Sequence, residues 1–314
     1  MIELKSTPNK TLNIFLKETN KALSKVLENI SATELAQLGK APKDLGELLS
    51  SFFKNGAATN SQQNQALLNL LKNNPTFQEL SNVNTTLKSL LKSLSTMKEP
   101  LPQMQKLKTT LQLLTHDMQK MEAQELKNRV QNSGVFLESK LKNAPQLKEA
   151  LTHDLKAQLL QVKEELQNAN IPQKPLLMQH IDKLTLQIDY YQLLSHLSNA
   201  SALYLPYSFE GFEEGSISIK KAKKEHYFCD IDLRLKKYGA LHMRLGLFEK
   251  KQLRINIECE DEALRERIKT NLPELKKMLF SAGLHPQEIT FLETNKTEYA
   301  TEHNDINLGF EVKA

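Results

Sequence analysis

Between Tyr227 and Leu292 the hydrophobic periodicity turns strand-like and then returns to that of one amphipathic helix, which restricts the fold more than any other stretch of the chain. Cys229, Ile231, Leu233 and Leu235 alternate with Asp230, Asp232, Arg234 and Lys236, the period of two of a strand with one wet face. After a turn at Lys237-Tyr238-Gly239, Leu241, Met243, Leu245 and Leu247 alternate with His242, Arg244 and Gly246. Beyond Glu249-Lys250-Lys251-Gln252 the alternation resumes with Leu253, Ile255, Ile257 and Cys259. Three strands with short connections predict an antiparallel meander with one apolar face.

A sheet with one apolar side is stable only under a second layer. The next segment supplies it. Asp261 and Glu262 stand where a helix N-terminus favours negative charge, and Leu264, Ile268, Leu272, Leu275 and Leu279 recur at helical spacing. Pro273 is expected to break or kink this helix, or to open a second short one. Gly283 ends it, and Ile289-Thr290-Phe291-Leu292 reads as a fourth strand, giving a β-β-β-α-β unit.

The run from Cys229 to Leu284 resembles the C-terminal domain of the flagellar hook-length control protein family. Tyr238-Gly239, Leu241, Leu253, Leu264, Leu272-Pro273-Glu274-Leu275 and Gly283-Leu284 carry the likeness through their order and spacing. Upstream, LYLPYSFEGFEEGSISIKK from Leu203 and NSGVFLESKL from Asn132 resemble segments that precede this domain in shorter members. The resemblance covers roughly 203–292, with a weaker trace at 126–142.

Residues 1–200 are almost continuously helical in pattern, rich in Leu, Lys, Gln, Asn and Glu. One stripe runs from Leu12 to Ile30, a second helix is expected over 43–54, and 57–65 reads as a loop. A helix starts at Asn74-Pro75 and carries Phe77, Leu80, Leu87, Leu90 and Leu94. Leu107, Leu111, Leu114, Met118 and Met121 keep steps of four and three for about two heptads, too few for a sustained coiled coil. Leu147 to Leu166 forms a further stripe, and Leu177, Ile181, Leu184, Ile188 and Tyr191 mark a last helix ending near Asn199. Frequent breaks predict a helical bundle or loose array. The fold class is therefore α+β: a mostly helical part over 1–200, a small β-β-β-α-β domain over 201–295, and a polar tail over 296–314 expected to be disordered.

The charge balance is uneven. Residues 1–200 hold 24 Lys and Arg against 18 Asp and Glu, or +6, and residues 201–314 hold 18 against 19, or −1. Six surplus charges spread over 200 residues are a solvated surface and no nucleic-acid footprint. The one basic run, Lys220 to Lys224, is expected to be a loop between strands. No apolar run approaches the ~20 residues that cross a bilayer, and residues 1–30 lack the pattern of a cleaved secretory signal. Cys229 and Cys259 alternate onto the buried face of non-consecutive strands, which favours two buried free thiols over a disulfide.

No phosphate loop, nucleophile elbow, Cys-x-x-Cys or His-Glu-x-x-His occurs, so the reading is non-enzymatic with no cofactor and no metal. His116-Asp117 and His153-Asp154 are expected to be exposed polar positions, and Asp230 and Asp232 paired surface charges. What the resemblance implies is an exported regulator, cytoplasmic before it leaves through the flagellar type III apparatus. Its C-terminal domain would contact the switch component of the export gate and turn export from hook to filament substrates, with hook and hook-cap subunits as further partners. Mapped onto this chain, the partner-binding candidates are Leu235, Tyr238, Gly239, Leu241, Leu272, Pro273 and Leu275. Tyr238, Gly239 and Pro273 are the surface positions, and the four leucines fall on the predicted core face. The alternative is a cytosolic helical chaperone or adaptor that uses the stripes of 1–200.

Overall fold

The computed structural model describes residues 68–69, 71–72, 75–116, 122–143, 151–222 and 226–292. Over these residues a helical part precedes a six-stranded sheet with one further helix, so the chain is α+β as predicted. The expectations for 1–67, Met118, Met121, Leu147 and the tail after Lys296 lie outside the described residues.

The helices are α1 (Pro75–Ser81), α2 (Val83–Ser95), α3 (Pro102–Thr115), α4 (Ala123–Gln131), α5 (Leu137–Asn143), α6 (Leu155–Asn168) and α7 (Lys174–Ser198). Their leucine stripes meet in one core: Leu87, Leu90 and Leu94 of α2, Leu107 and Leu111 of α3, Leu159 and Leu166 of α6, and Leu184 and Ile188 of α7 are all buried. Truncating any one of these to alanine would cost about 2–5 kcal/mol. Pro102 opens α3 at its first turn, where its missing N–H costs nothing. Asn199 closes α7 in the left-handed conformation, φ 48°.

Two helix boundaries differ from the periodicity. The stripe after Pro75 is broken at Asn82, whose side chain accepts from Thr85 N at 3.4 Å and caps α2. The stripe toward Leu166 is broken at Asp154, whose Oδ1 accepts from Lys156 N at 3.0 Å and caps α6. Asp154 is wholly buried, which corrects its reading as an exposed position; His153 and His116 are exposed.

The sheet holds β1 (Ser201–Tyr204), β2 (Phe212–Lys221), β3 (Tyr227–Leu235), β4 (Gly239–Phe248), β5 (Gln252–Cys259) and β6 (His285–Leu292) in sequential order. Strands β1 to β5 form an antiparallel meander, two strands longer than predicted. β6 is parallel to β5, and a parallel neighbour needs a crossover, which α8 (Glu262–Ser281) provides. Ile217, Ile231, Met243, Ile257 and Phe291 stand in register as one cross-strand row, and Ile219, Cys229, Leu245, Ile255 and Ile289 as the next. Both rows share the apolar face. α8 packs on the β5–β6 side of that face. Cys259 is therefore buried, whereas Cys229, out on β3, is half-buried, and neither forms a disulfide. Burial, with Asp230 and Asp232 nearby, pushes the Cys229 thiol up to about 11.

Sheet and helices are joined at β1, where Ala202, Leu203 and Tyr204 belong to the helical core. Ser195 Oγ of α7 accepts from Ala202 N at 2.8 Å, and Asn84 Nδ2 of α2 donates to Leu205 O at 3.4 Å. Tyr204 reaches further and donates its hydroxyl to Ser133 O at 2.8 Å. The Asn132-Ser133-Gly134 segment is thus a junction. Asn132 O accepts from Leu155 N at 3.0 Å, and Asn132 Oδ1 accepts from Lys140 at 2.8 Å.

Gly134 takes φ +91°, and a Cβ there would sit 3.0 Å from Ile188 Cδ1, Lys156 Cβ and Lys156 N. Gly134→Ala is expected to cost about 1–3 kcal/mol, from left-handed strain and the forced separation of α6 and α7. A thermal melt followed by circular dichroism measures it. An unchanged midpoint would mean that the close approach is not needed.

Buried charges surround the same junction. Lys156 Nζ lies 2.7 Å from Asp189 Oδ1 of α7 and 2.6 Å from Glu138 Oε1 of α5. Gln192 Oε1 accepts from the same ammonium at 2.8 Å. Lys140 Nζ lies 3.1 Å from Asp154 Oδ2. Burial opposes the charge on Lys156, yet Asp189 and Glu138 outweigh it and raise its pKa. Burial pushes the Asp154 and Asp189 carboxyls up to about 6, against the downward pull of Lys140 and Lys156 respectively.

Candidate functional site

The partner-binding candidates gather on two elements, the β3–β4 turn and α8. The turn is tight because Gly239 adopts φ +73°, and a Cβ there would lie 2.8 Å from Glu260 Oε2. Glu260 holds the turn through that oxygen, which accepts from Ala240 N at 3.2 Å. Gly239 is explained by the backbone it must form. Tyr238 is thereby turned toward α8. Arg267 beside its hydroxyl, with Lys237 adding to the pull, draws the phenol pKa below its usual value. Lys237 Nζ also lies 5.1 Å from the Tyr238 ring centroid.

α8 is set on the sheet by its first turn. Asp261 Oδ1 accepts from Leu264 N at 2.7 Å, and Leu264 is the one buried residue of the helix. Arg265 Nη2 donates to Cys259 O at 3.2 Å and Leu292 O at 3.4 Å, tying the ends of β5 and β6. The helix runs continuously through Pro273, so it neither ends there nor gives way to a second short helix as one reading of the sequence expected. Pro273 is exposed, so the single carbonyl that loses its N–H donor, one turn back at Lys269, can face solvent. Gly283, at φ +77°, marks the stop as expected.

Leu241 is buried in the sheet core, and Leu235 and Tyr238 pack partly against it. Leu272 and Leu275 are half-buried, less covered than their place on the predicted core face implies. Beyond them Met278 is 63% exposed and Phe280 57%. Arg267 meets Tyr238 of the β3–β4 turn on one flank of α8, whereas Lys269 lies over the Phe291 ring of β6 on the other, at 5.6 Å. At about 100° per residue, Leu275 and Met278 lean to the β3 flank and Leu272 to the β6 flank. The β3 flank of α8 thus borders the half-covered side chains of Cys229, Ile231, Met243 and Leu245, with Tyr238 at one end.

The opposite face of the sheet is polar. Asp230 pairs with Arg244 at 2.6 Å, Asp232 with His242 at 2.5 Å, and Arg234 with Glu214 at 3.4 Å. These are the cross-strand charge pairs that the alternation predicts. The Asp232 carboxylate, accepting from His242 Nδ1 in its charged form, raises the His242 pKa. Among the described residues no group of three or more His, Cys, Asp and Glu is arranged to hold a metal ion, and no helix is long and apolar enough to cross a membrane.

The ion network around Lys156 and the strands β1 and β2 were not found by sequence reasoning. For β2 a signal existed, Ile217 and Ile219 alternating with Ser216 and Ser218. For Lys156 there was none, because its partner Asp189 is distant in sequence.

No curated protein and no solved structure is significantly similar to the chain. Residues 215–300 match the family model described as flagellar hook-length control protein FliK, a span that runs from Gly215 in β2 past the end of β6. Through strands β2 to β6 and the crossing helix α8, this part of the chain is similar to the hook-length control family.

Proposed function

We propose that the chain is a non-enzymatic regulator of flagellar hook length, exported by the flagellar type III apparatus, whose C-terminal domain switches export from hook to filament substrates. The match over residues 215–300 carries this reading. On that domain, the surface suited to the switch component of the export gate is the β3–β4 turn with the neighbouring flank of α8. Tyr238, Leu275 and the exposed Met278 offer apolar contact there, and Pro273 adds a rigid step on the outer side of the helix. Leu235, Leu241 and Gly239 hold the turn in place and act through Tyr238.

A strain producing Tyr238→Ala with Leu275→Asp is expected to make over-long hooks without filaments, scored by electron microscopy of isolated hook-basal bodies. Hooks of normal length with filaments in that strain would overturn the surface assignment. Export itself is read by immunoblot of supernatant and pellet, with and without a working export apparatus. Protein confined to the pellet in both strains would replace this reading with the cytosolic chaperone or adaptor.

A further inference from the structure

β1 is bound to two layers at once. Its odd-numbered backbone faces the sheet: Ser201 stands opposite Ile219 and Leu203 opposite Ile217, and the next odd residue, Leu205, donates its N–H to Gly215 O at 3.0 Å. Its even-numbered backbone faces α7, because successive residues of a strand direct their backbone groups to opposite sides. Ser195 Oγ lies there against both groups of Ala202, accepting from its N–H at 2.8 Å and standing 2.9 Å from its carbonyl oxygen.

The side chains favour one layer. Ala202, Leu203 and Tyr204 all belong to the helical core, and the Tyr204 hydroxyl donates to Ser133 O. The change comes at Leu205. Its carbonyl accepts from Asn84 Nδ2 of α2 at 3.4 Å, but its side chain lies on β2 at Gly215, where a Cβ would come within 2.6 Å of Leu205 Cδ1.

β1 is thus held to β2 by backbone rungs and to the helices by buried side chains. A backbone hydrogen bond contributes little net, since water replaces it on opening, whereas burying leucine and tyrosine contributes more. Without the helical core, the rungs at Ser201 and Leu203 are too few to offset the entropy of ordering a four-residue strand. The sheet has a core of its own around Leu241, Leu253, Ile255 and Ile257, and the family match starts at Gly215, after β1. We propose that β1 is a detachable strap: when the helical part opens, residues 201–204 leave with it, Leu205 stays as the hinge, and β2 is uncovered at Ile217 and Ile219. Ile217 also packs against the helical core, so its side chain is released in the same step. The folded state of the helical part thereby decides whether this edge of β2 is paired, whatever the sheet binds.

Hydrogen exchange on the full chain, resolved by residue in NMR spectra, tests the strap. Within β2 the amides of Ile217 and Ile219 face β1 and those of Ser216 and Ser218 face β3, the alternation that Ala222 N donating to His226 O at 2.8 Å also requires. Leu107→Ala removes a buried side chain of α3 and is expected to make opening of the helical part more frequent by about thirtyfold or more. Ile217 and Ile219 are expected to speed up by the same factor as the amides of α7, with Ser216, Ser218, β4 and β5 nearly unchanged. Unchanged Ile217 and Ile219 would overturn the proposal, since β1 then stays on the sheet. Equal acceleration of Ser216 and Ser218 would overturn it too, since helices and sheet then open as one unit. The natural sequence in rising sub-denaturing urea gives the same comparison without a substitution. There Ile217 and Ile219 are expected to share the urea dependence of α7, and sharing that of Ser216 and Ser218 instead would exclude the strap.

Discussion

Replacing Lys156 by methionine is expected to destabilise the folded chain by about 3–5 kcal/mol, because it strands the Asp189 carboxylate in the core of the helical part. Asp189 is 2% exposed, and Lys156 is its ion-pair partner at 2.7 Å. Lys156→Met with Asp189→Leu together should recover most of the loss, since two apolar side chains of similar volume need no desolvated charge. Glu138 can turn to solvent in that variant, its side chain being 39% exposed, and Gln192 keeps its bond to Val135 O at 3.0 Å. Failure of the double variant to recover would mean that the lysine stem packs in a way methionine cannot imitate.

The pH dependence separates charge from packing. Folding raises the Asp189 and Asp154 carboxyls from 3.8 to about 6. A group whose folded pKa is raised adds stability that is complete below its unfolded pKa and is lost as pH rises through the folded value. Acidification from about pH 7.5 to about pH 5.5 should therefore stabilise the protein. His242, raised mainly by the Asp232 hydrogen bond, works in the same direction, and His180, lowered by burial and Lys183, works against it. In Lys156→Met the pull that holds Asp189 down is gone, so its carboxyl rises further and the deficit grows with pH. Denaturant unfolding at the two pH values reads this, and a deficit equal at both would sink the electrostatic account.

How much of this was legible in the sequence follows from what periodicity reports. β3, β4 and β5 each have one wet and one covered face, so their alternation is plain and their register follows. β1 has only four residues, Ser201–Tyr204, and all but Ser201 are buried, which leaves no alternation to detect. A leucine stripe marks a side-chain face and is blind to backbone continuity, so it runs across Asp154 although the helix there begins anew. Asp154 beside His153 looked like surface because its partners, Lys140 and the N-terminal amides of α6, come together only in the fold. At the candidate site the turn and α8 could be named from sequence, but their meeting through Tyr238 and Arg267 could not, since nothing local links positions 238 and 267.

Tyr204→Ala is expected to cost about 3–5 kcal/mol, and its effect should extend to both layers. The ring is fully buried on β1 and meets Tyr191 edge-on, with centroids 5.8 Å apart, and Tyr191 meets Tyr190 in the same manner at 5.4 Å. Their hydroxyls tie three separate backbones: Tyr204 to Ser133 O, Tyr191 to Ser81 O at 3.2 Å, and Tyr190 to Leu71 O at 3.1 Å. Truncation at Tyr204 opens a cavity where the sheet edge, the Asn132–Gly134 junction and α7 converge, and leaves Ser133 O without its donor. Tyr204→Phe keeps the ring and loses one hydrogen bond, so it should cost only about 1 kcal/mol. Hydrogen exchange distinguishes shared from local support. Faster exchange in α7 and in β2 together, with β5 and α8 little changed, is the expected pattern for Tyr204→Ala. Loosening confined to β1 would mean that the helical core holds α7 without the sheet, and that the tyrosine chain fills space at the junction without fixing it.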